Sequence, residues 1–451
     1  MQDFNWANYK NIEMKIYRNI RRITIALAVM ALLPISCKKV LESEYRSDLG
    51  PEYFATPDGL QAGLNASYAI SRFFYGSEGF ASSAVAGTDE IVRGGDGSLD
   101  FHAYQNITPQ NGTIGSIWNN SYIAINNLNG VLEFGPGANV PEARKKELLG
   151  EAKFLRAFYY FLLVQNFGDV PLNLKFNTTP STVATRAPIK DVYAAMITDL
   201  TEASAELPNT PSSLPSKGRA SKAAAMHLLA KVYLTKGWNA KATDGKADFD
   251  KAYATAKALI DNQATYGLAL EQDFGNVWRD KNEYGKESIF VMDRNLDPVF
   301  SESGYNAGNA ADGNKENRSN HYWVCFYTNA RNVNALIPGA AASSMGLMSR
   351  DVINGRPFRR FRPTPYTYSA FTNRDNDARY DKTFQKAWVA NTPATASSLV
   401  QSTIANPVTT SRNGSSVTLT NGVDTAIFMP GKEVTVAERQ RFKGVKLCSN
   451  V

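Results

Sequence analysis

Apolar residues recur every three or four positions over long stretches of this sequence, and that spacing is typical of amphipathic helices. The first stretch carries Leu60 and Leu64 on one face and follows Thr56, a favoured residue for a helix N-cap. It predicts a helix over residues 57–72. A second apolar repeat predicts a helix over residues 114–132.

The most pronounced repeat predicts a long helix over residues 141–167. Pro141 suits the start of a helix, and Gly168 suits its C-terminal cap. Within residues 154–164 the only charged side chain is Arg156. Because so long a run lacks a polar face, we expect this half of the helix to be buried on several sides.

Three further helices are predicted, over residues 188–206, 219–235 and 248–261. With the long helix before them they form two adjacent pairs, similar to tetratricopeptide repeats of ~34 residues. The predicted fold class is therefore mainly α: an array of tetratricopeptide-like helical pairs with long loops and a few short strands.

The remaining sequence is rich in Gly, Asn, Ser and Asp and predicts loops. A short strand is predicted at residues 287–292, a hairpin turn at Asn354-Gly355, and irregular β structure over 393–425. The domain prediction places the helical core at about 57–72 and 114–262, and a loop-rich, ligand-facing region at about 75–112 and 270–430.

The N-terminus has the pattern of an export signal. Basic residues follow Met14, which is a second possible start besides Met1, and an apolar run covers residues 23–33. A small residue then precedes Cys37, as in a bacterial lipobox. We expect a signal peptide at residues 14–36, a binding domain over residues 37–451, and lipidation of Cys37. The alternative is a short buried helix that begins at Ile23.

Composition argues against several classes of function. The chain has 49 basic and 42 acidic residues, a formal charge of +7, and no concentrated basic patch, so nucleic-acid binding is not expected. Three cysteines and three histidines offer little for metal or triad chemistry. The acidic run from Asp375 lacks the Gly and Glu of an EF-hand loop. We expect no cofactor and no metal.

Four segments together resemble the SusD/RagB family of surface lipoproteins. They are residues 151–172 with Glu-Ala-Lys-Phe-Leu-Arg-Ala and Phe-Gly-Asp-Val-Pro-Leu, residues 218–234, residues 287–290, and the Asp-x-Arg segment at 377–384. Their order and spacing agree with that family. The resemblance implies a SusD-like helical fold, attachment to the cell outer membrane by a lipid anchor, and exposure at the cell surface.

The resemblance also implies a binding role rather than catalysis. Such proteins capture oligosaccharides, or in some members peptides, and pass them to a SusC-like TonB-dependent outer-membrane transporter. A surface-exposed hydrolase on the same scaffold is the alternative from another class. Members of the family usually continue beyond the point where this sequence stops, so we expect a truncated or frameshifted product.

Two loop segments carry the candidate ligand-binding residues. Aromatic rings complement the flat C–H faces of sugars, and Asn, Asp and Arg side chains fix the orientation of hydroxyl groups. The candidates are Tyr75 and Asp96 in the first segment, and Tyr322, Trp323, Tyr327, Asn329 and Arg331 in the second. The alternative for each aromatic residue is a place in the core.

Overall fold

The computed structural model describes fourteen stretches of the chain. They are residues 14–24, 50–179, 181–211, 216–279, 281–293, 319–325, 327, 355–373, 376–384, 387–389, 408–412, 415–419, 425–428 and 446–447. The chain divides into two compact units, Met1–Tyr53 and Phe54–Val451. In the first unit, residues 14–24 are helical and exposed. Among the described residues, no helix combines the length and the apolar character that crossing a bilayer requires.

Helices dominate the second unit. They are α1 (Pro57–Ile70), α2 (Glu78–Val85), α3 (Leu99–Ala103), α4 (Gly112–Phe134), α5 (Glu142–Phe167), α6 (Ile189–Glu206), α7 (Lys222–Trp238), α8 (Lys246–Asp261), α9 (Ser319–Tyr322), α10 (Pro365–Ser369) and α11 (Arg379–Thr383). Helices α4 to α8 pack in succession, each against the next, and α1 packs on α4. This neighbour-to-neighbour packing is the architecture of a helical repeat array, as predicted.

The strands are short. They are β1 (Ile91–Arg93), β2 (Phe361–Pro363), β3 (Ala387–Val389), β4 (Val408–Arg412), β5 (Ser415–Leu419), β6 (Thr425–Phe428) and β7 (Lys446–Leu447). Strands β1 and β2 pair antiparallel, β4 and β5 form an antiparallel pair, and β6 lies between an antiparallel β3 and a parallel β7. The β structure predicted over residues 393–425 is thus confirmed for the strands that the structure describes.

The caps of the helices follow from local sequence. Thr56 accepts a hydrogen bond from the Gly59 amide at 3.0 Å and begins α1 as predicted. Helix α5 ends at Gly168, whose φ of +70° few other residues adopt without strain. The Asp169 carboxylate then accepts from the Ile189 amide at 3.0 Å, so it caps the first turn of α6. Asp169, directly after the end of α5, therefore also fixes the start of α6, which lies 20 positions further along the chain.

Helix α5 lies at the centre of the core. Ten of the eleven residues from Phe154 to Val164 are buried, on all sides of the helix, and the exception is Arg156. Leu128 of α4, Leu200 of α6 and Leu228 of α7 belong to the same apolar cluster. The prediction that this half of the helix is buried on several sides is confirmed.

Two sequence predictions are wrong in their detail. Residues 287–292 form turns and bends rather than a strand. Phe290 instead packs edge-on against Phe154, with ring centroids 5.1 Å apart. The segment is apolar because it packs on the helices and not because it forms a strand. Residues 75–112 are not a continuous loop, because they include α2, β1 and α3. The predicted turn at Asn354-Gly355 lies partly outside the described residues.

Candidate ligand-binding site

Strands β1 and β2 join the first loop segment that the sequence suggested to the arginine-rich run before Pro363. The second loop segment packs on this run, since the Arg360 amide donates to the Tyr322 carbonyl at 2.8 Å. Ile91 pairs with Pro363 and Arg93 pairs with Phe361. We use the name loop seam for this strand pair, the flanking residues 94–97 and 358–360, and the adjoining residues 75–76 and 322–323, which contact it or each other. The Tyr322 hydroxyl also donates to the Gly76 carbonyl at 2.9 Å. Segments far apart in the sequence therefore form one surface.

Charged side chains fasten the loop seam. The Arg359 guanidinium donates to the Asp96 carboxylate at 3.0 and 2.5 Å. The neighbouring Arg360 forms an ion pair with Glu78 at 2.7 Å and donates to the Asp96 carbonyl at 2.8 Å. The hydrogen bond from Arg359 lowers the pKa of Asp96, so this carboxylate is ionised at neutral pH. Arginine and carboxylate groups thus hold the seam together.

Two glycines let the backbones approach across the loop seam. A Cβ atom on Gly94 would lie 2.2 Å from the carbonyl oxygen of Arg359, and one on Gly97 would lie 2.2 Å from that of Arg360. No side chain fits at those distances without moving the backbone. Glycine is therefore required here for close packing.

The predicted tyrosines of the second segment are buried. Tyr322 is 1% exposed, and its ring lies between those of Phe358 and Phe361. Tyr327 is 0% exposed, and its hydroxyl donates to the Gly355 carbonyl at 2.6 Å. Both rings lie in the packing beneath the surface, which was the alternative left open for each aromatic residue.

Three other predicted residues reach the surface. Trp323 is 44% exposed and packs against Phe361, with ring centroids 5.0 Å apart. Tyr75 is 40% exposed and borders Phe80 at 5.5 Å, and burial of its ring raises the pKa of its hydroxyl. The side chain of Asp96 is 45% exposed. Asn329 and Arg331 lie outside the described residues.

Sequence reasoning missed the two arginines that fasten the loop seam. Arg359 and Arg360 belong to an arginine-rich run that predicts a solvated strand, but their guanidinium groups hold carboxylates. Asp96 and Arg359 are 263 positions apart, so no local pattern in the sequence indicates that they form an ion pair.

Among the described residues, no group of three or more His, Cys, Asp or Glu side chains comes close enough together to hold a metal ion. Cys325 is half-buried. Cys37, the predicted site of lipidation, lies outside the described residues. The chemistry available at the loop seam is therefore that of aromatic rings, carboxylates and guanidinium groups.

Comparisons with known proteins address the family. Residues 82–234 match the family model SusD-like_3, described as "Starch-binding associating with outer membrane". SusD-like protein P2 of Formosa agariphila is 30% identical over 283 residues, which cover 61% of this chain and 53% of that protein. Over the matched segments the chain is similar to SusD-like proteins. A SusD-like protein of Bacteroides ovatus is 27% identical over 62% of this chain and 50% of its own.

The chain spans about half the length of the curated relatives it matches. Among solved structures, surface glycan-binding protein A from Bacteroides uniformis aligns with a TM-score of 0.51 and 21% identity, over 74% of this chain and 64% of that one. This similarity concerns the fold. It agrees with the tetratricopeptide-like array described above.

Residues from two of the four segments that resemble the SusD/RagB family hold the helices together. Glu151 of α5 is buried, accepts a hydrogen bond from the Tyr68 hydroxyl of α1 at 2.6 Å, and pairs with Arg219 at 2.7 Å. Arg219 also lies 4.6 Å above the Tyr68 ring and donates to Asn65 at 2.8 Å. Burial raises the pKa of Glu151, although the Arg219 guanidinium opposes the shift. These contacts tie α1 and α5 to the segment before α7.

The other motif arginine has the same kind of role. Arg156 of α5 donates two hydrogen bonds to the Asp199 carboxylate of α6, at 2.8 and 2.7 Å. Its third contact is Asn129 of α4 at 2.9 Å, and the amide of Asn129 donates to the carbonyls of Asn173 and Lys175. Arg156 therefore joins three helices and one loop. These two segments thus stabilise the helical scaffold, and the loop seam lies outside them.

Proposed function

We propose that this protein is a glycan-binding lipoprotein of the cell surface that captures oligosaccharides with the loop seam. The observation that carries the proposal is the seam itself. It brings two loop segments with exposed aromatic and charged side chains onto a rigid helical scaffold. Trp323 and Tyr75 offer ring faces for C–H surfaces, and Asp96 offers acceptors for hydroxyl groups.

The family description supports a carbohydrate ligand. It names starch binding and association with the outer membrane for the segment that matches residues 82–234. Those residues include β1 and the first half of the loop seam. We propose that the ligand is a neutral oligosaccharide, that the chain is anchored through a lipidated Cys37, and that a SusC-like TonB-dependent transporter receives the ligand.

Isothermal titration calorimetry with starch-derived, laminarin-derived and xyloglucan-derived oligosaccharides tests the binding role. We expect one class of glycan to bind, and we expect Trp323→Ala to weaken that binding at least tenfold, because an exposed indole that stacks on a ligand contributes a large part of the binding free energy. Trp238→Ala is the matched control, since Trp238 is 78% exposed at the end of α7, on the surface of the helical array and outside the loop seam.

Two results would contradict the proposal. One is a folded protein that binds peptides and none of the glycans. The other is release of new reducing ends from an oligosaccharide by the purified protein, which would show a hydrolase. Equal binding by the Trp323→Ala and Trp238→Ala variants would remove Trp323 from the site.

A further inference from the structure

Arg359 has an unfavourable backbone conformation in the loop seam. Its φ is +54°, in the left-handed region that residues other than glycine rarely adopt. Residues that are held in such conformations are found most often at functional sites, because the surrounding structure must keep them there. The contacts around Arg359 show what this conformation provides.

Those contacts converge on Asp96. The Asp96 amide donates to the Arg359 carbonyl at 3.2 Å, and the Arg360 guanidinium donates to the Asp96 carbonyl at 2.8 Å. The Arg359 guanidinium donates to the Asp96 carboxylate, and it lies against the backbone of Gly95, where a Cβ atom would come within 3.3 Å of it. Both the backbone and the side chain of Asp96 are therefore fixed.

One oxygen of the Asp96 carboxylate remains available. Both hydrogen bonds from the Arg359 guanidinium end on Oδ2, and none of the residues that the structure describes donates to Oδ1. The Asp96 side chain is 45% exposed, so a ligand can reach it. Because the hydrogen bond from Arg359 lowers the pKa of Asp96, Oδ1 belongs to an ionised carboxylate, which is a strong acceptor for a hydroxyl group.

Stability alone does not account for this arrangement. The side chains of Arg359 and Asp96 are both partly exposed, and ion pairs of that kind contribute little to folding. The left-handed backbone of Arg359 opposes folding. The arrangement does hold a carboxylate in one orientation, and a preorganised polar group binds more tightly because less conformational entropy is lost when the ligand arrives.

We propose that Arg359 is a positioning residue for glycan binding. Its backbone and its guanidinium group hold Asp96 so that Oδ1 accepts a hydrogen bond from a hydroxyl group of the sugar. Arg359 acts through Asp96 and does not itself contact the glycan. The proposal rests on the glycan-binding function proposed above, and it names the residue that fixes the polar side of that site.

Isothermal titration calorimetry of the purified protein with maltoheptaose, laminariheptaose and a xyloglucan heptasaccharide tests this role. Asp96→Ala should weaken binding of the preferred glycan at least tenfold, because it removes a charged acceptor. Arg359→Gly should weaken that binding about threefold to tenfold, because the carboxylate remains but is no longer held. In the Asp96→Ala background, Arg359→Gly should change the Kd less than about twofold, since the residue it acts through is already lost.

Melting temperatures separate positioning from a purely structural role. Glycine adopts a φ of +54° without strain, so Arg359→Gly should leave the melting temperature unchanged or higher while glycan binding weakens. Lys281→Gly is the matched control, because the φ of Lys281 is +71° and the residue lies outside the loop seam. This control should also keep or raise the melting temperature, and it should retain the affinity of the parent protein.

The two proposals can fail separately, because glycan binding by the parent protein and its loss in Trp323→Ala test the proposed function. The positioning role is overturned if Arg359→Gly binds as tightly as the parent protein, or if it weakens binding by the same factor in the Asp96→Ala background. A fall of more than about 5 °C in the melting temperature of Arg359→Gly would also overturn it. Absence of binding by the parent protein to every glycan overturns the proposed function and this role with it.

Discussion

The buried ion pair between Arg156 and Asp199 offers the sharpest test of how the family motifs act. Their side chains are 12% and 7% exposed, and two hydrogen bonds join them. Asp199→Leu would leave the guanidinium group of Arg156 buried without its carboxylate. Loss of one partner of such a pair costs about 3–5 kcal/mol. That is a large share of the ~5–15 kcal/mol by which domains are stable.

The double variant Arg156→Met with Asp199→Leu separates charge from packing. Replacement of both partners by apolar side chains is often neutral or stabilising. Here Asn129 loses the donor to its side-chain oxygen, which costs about 1 kcal/mol for one hydrogen bond. We therefore expect the double variant to be within about 2 kcal/mol of the parent protein, far less destabilised than Asp199→Leu alone.

Urea denaturation followed by circular dichroism and by tryptophan fluorescence measures these free energies of unfolding. Asp250→Ala is the control, because the pair of Lys246 and Asp250 on α8 has side chains 85% and 61% exposed and should contribute about 0.5 kcal/mol or less. The reasoning is refuted if Asp199→Leu costs no more than Asp250→Ala, or if the double variant costs the sum of the two single variants.

Three further predictions concern the loop seam, acid stability and the anchor. Gly97→Val should destabilise the protein by about 1–3 kcal/mol and weaken glycan binding, because its Cβ would lie 2.2 Å from a carbonyl oxygen; Gly115→Ala, with open space around it, should be tolerated in the same urea titration. Hydrogen bonds from Arg379 lower the pKa of Asp377 from the ordinary value of 3.8 to about 2. The stability that the ionised carboxylate contributes is therefore fully present above pH 3.8 and is lost as the pH falls towards 2. Melting temperatures between pH 5 and pH 2.5 should therefore fall less steeply for Asp377→Asn than for the parent protein. Cys37→Ala should abolish labelling by a fatty-acid probe in cells, and continued labelling would contradict the lipobox prediction.

The helical array could be predicted because its signals are local. The repeat that predicted residues 57–72 contains its own cap at Thr56, and α1 covers Pro57–Ile70. The apolar stretch at 287–292 has an equally local pattern, but it predicted a strand wrongly. Ile289 and Phe290 are apolar because they dock on the helical core, and a short apolar run does not reveal which partner buries it.

The candidate site was harder to predict because long-range contacts build it. The pairing of β1 with β2 and the ion pair of Asp96 with Arg359 join segments that no periodicity connects. Neighbouring aromatic residues also differ in their exposure to solvent, because Tyr322 is buried whereas Trp323 beside it is 44% exposed. Composition locates such a run, but only the packing around it decides which ring faces solvent.

A thermal melt of the purified protein, alone and with glycan and peptide panels, tests the central claim most directly. Ligand that binds only the native state raises the melting temperature by mass action. We predict a cooperative transition that one class of neutral oligosaccharide shifts upwards, with the shift reduced by Trp323→Ala and retained by Trp238→Ala. A cooperative transition that peptides raise and no glycan raises would contradict the claim.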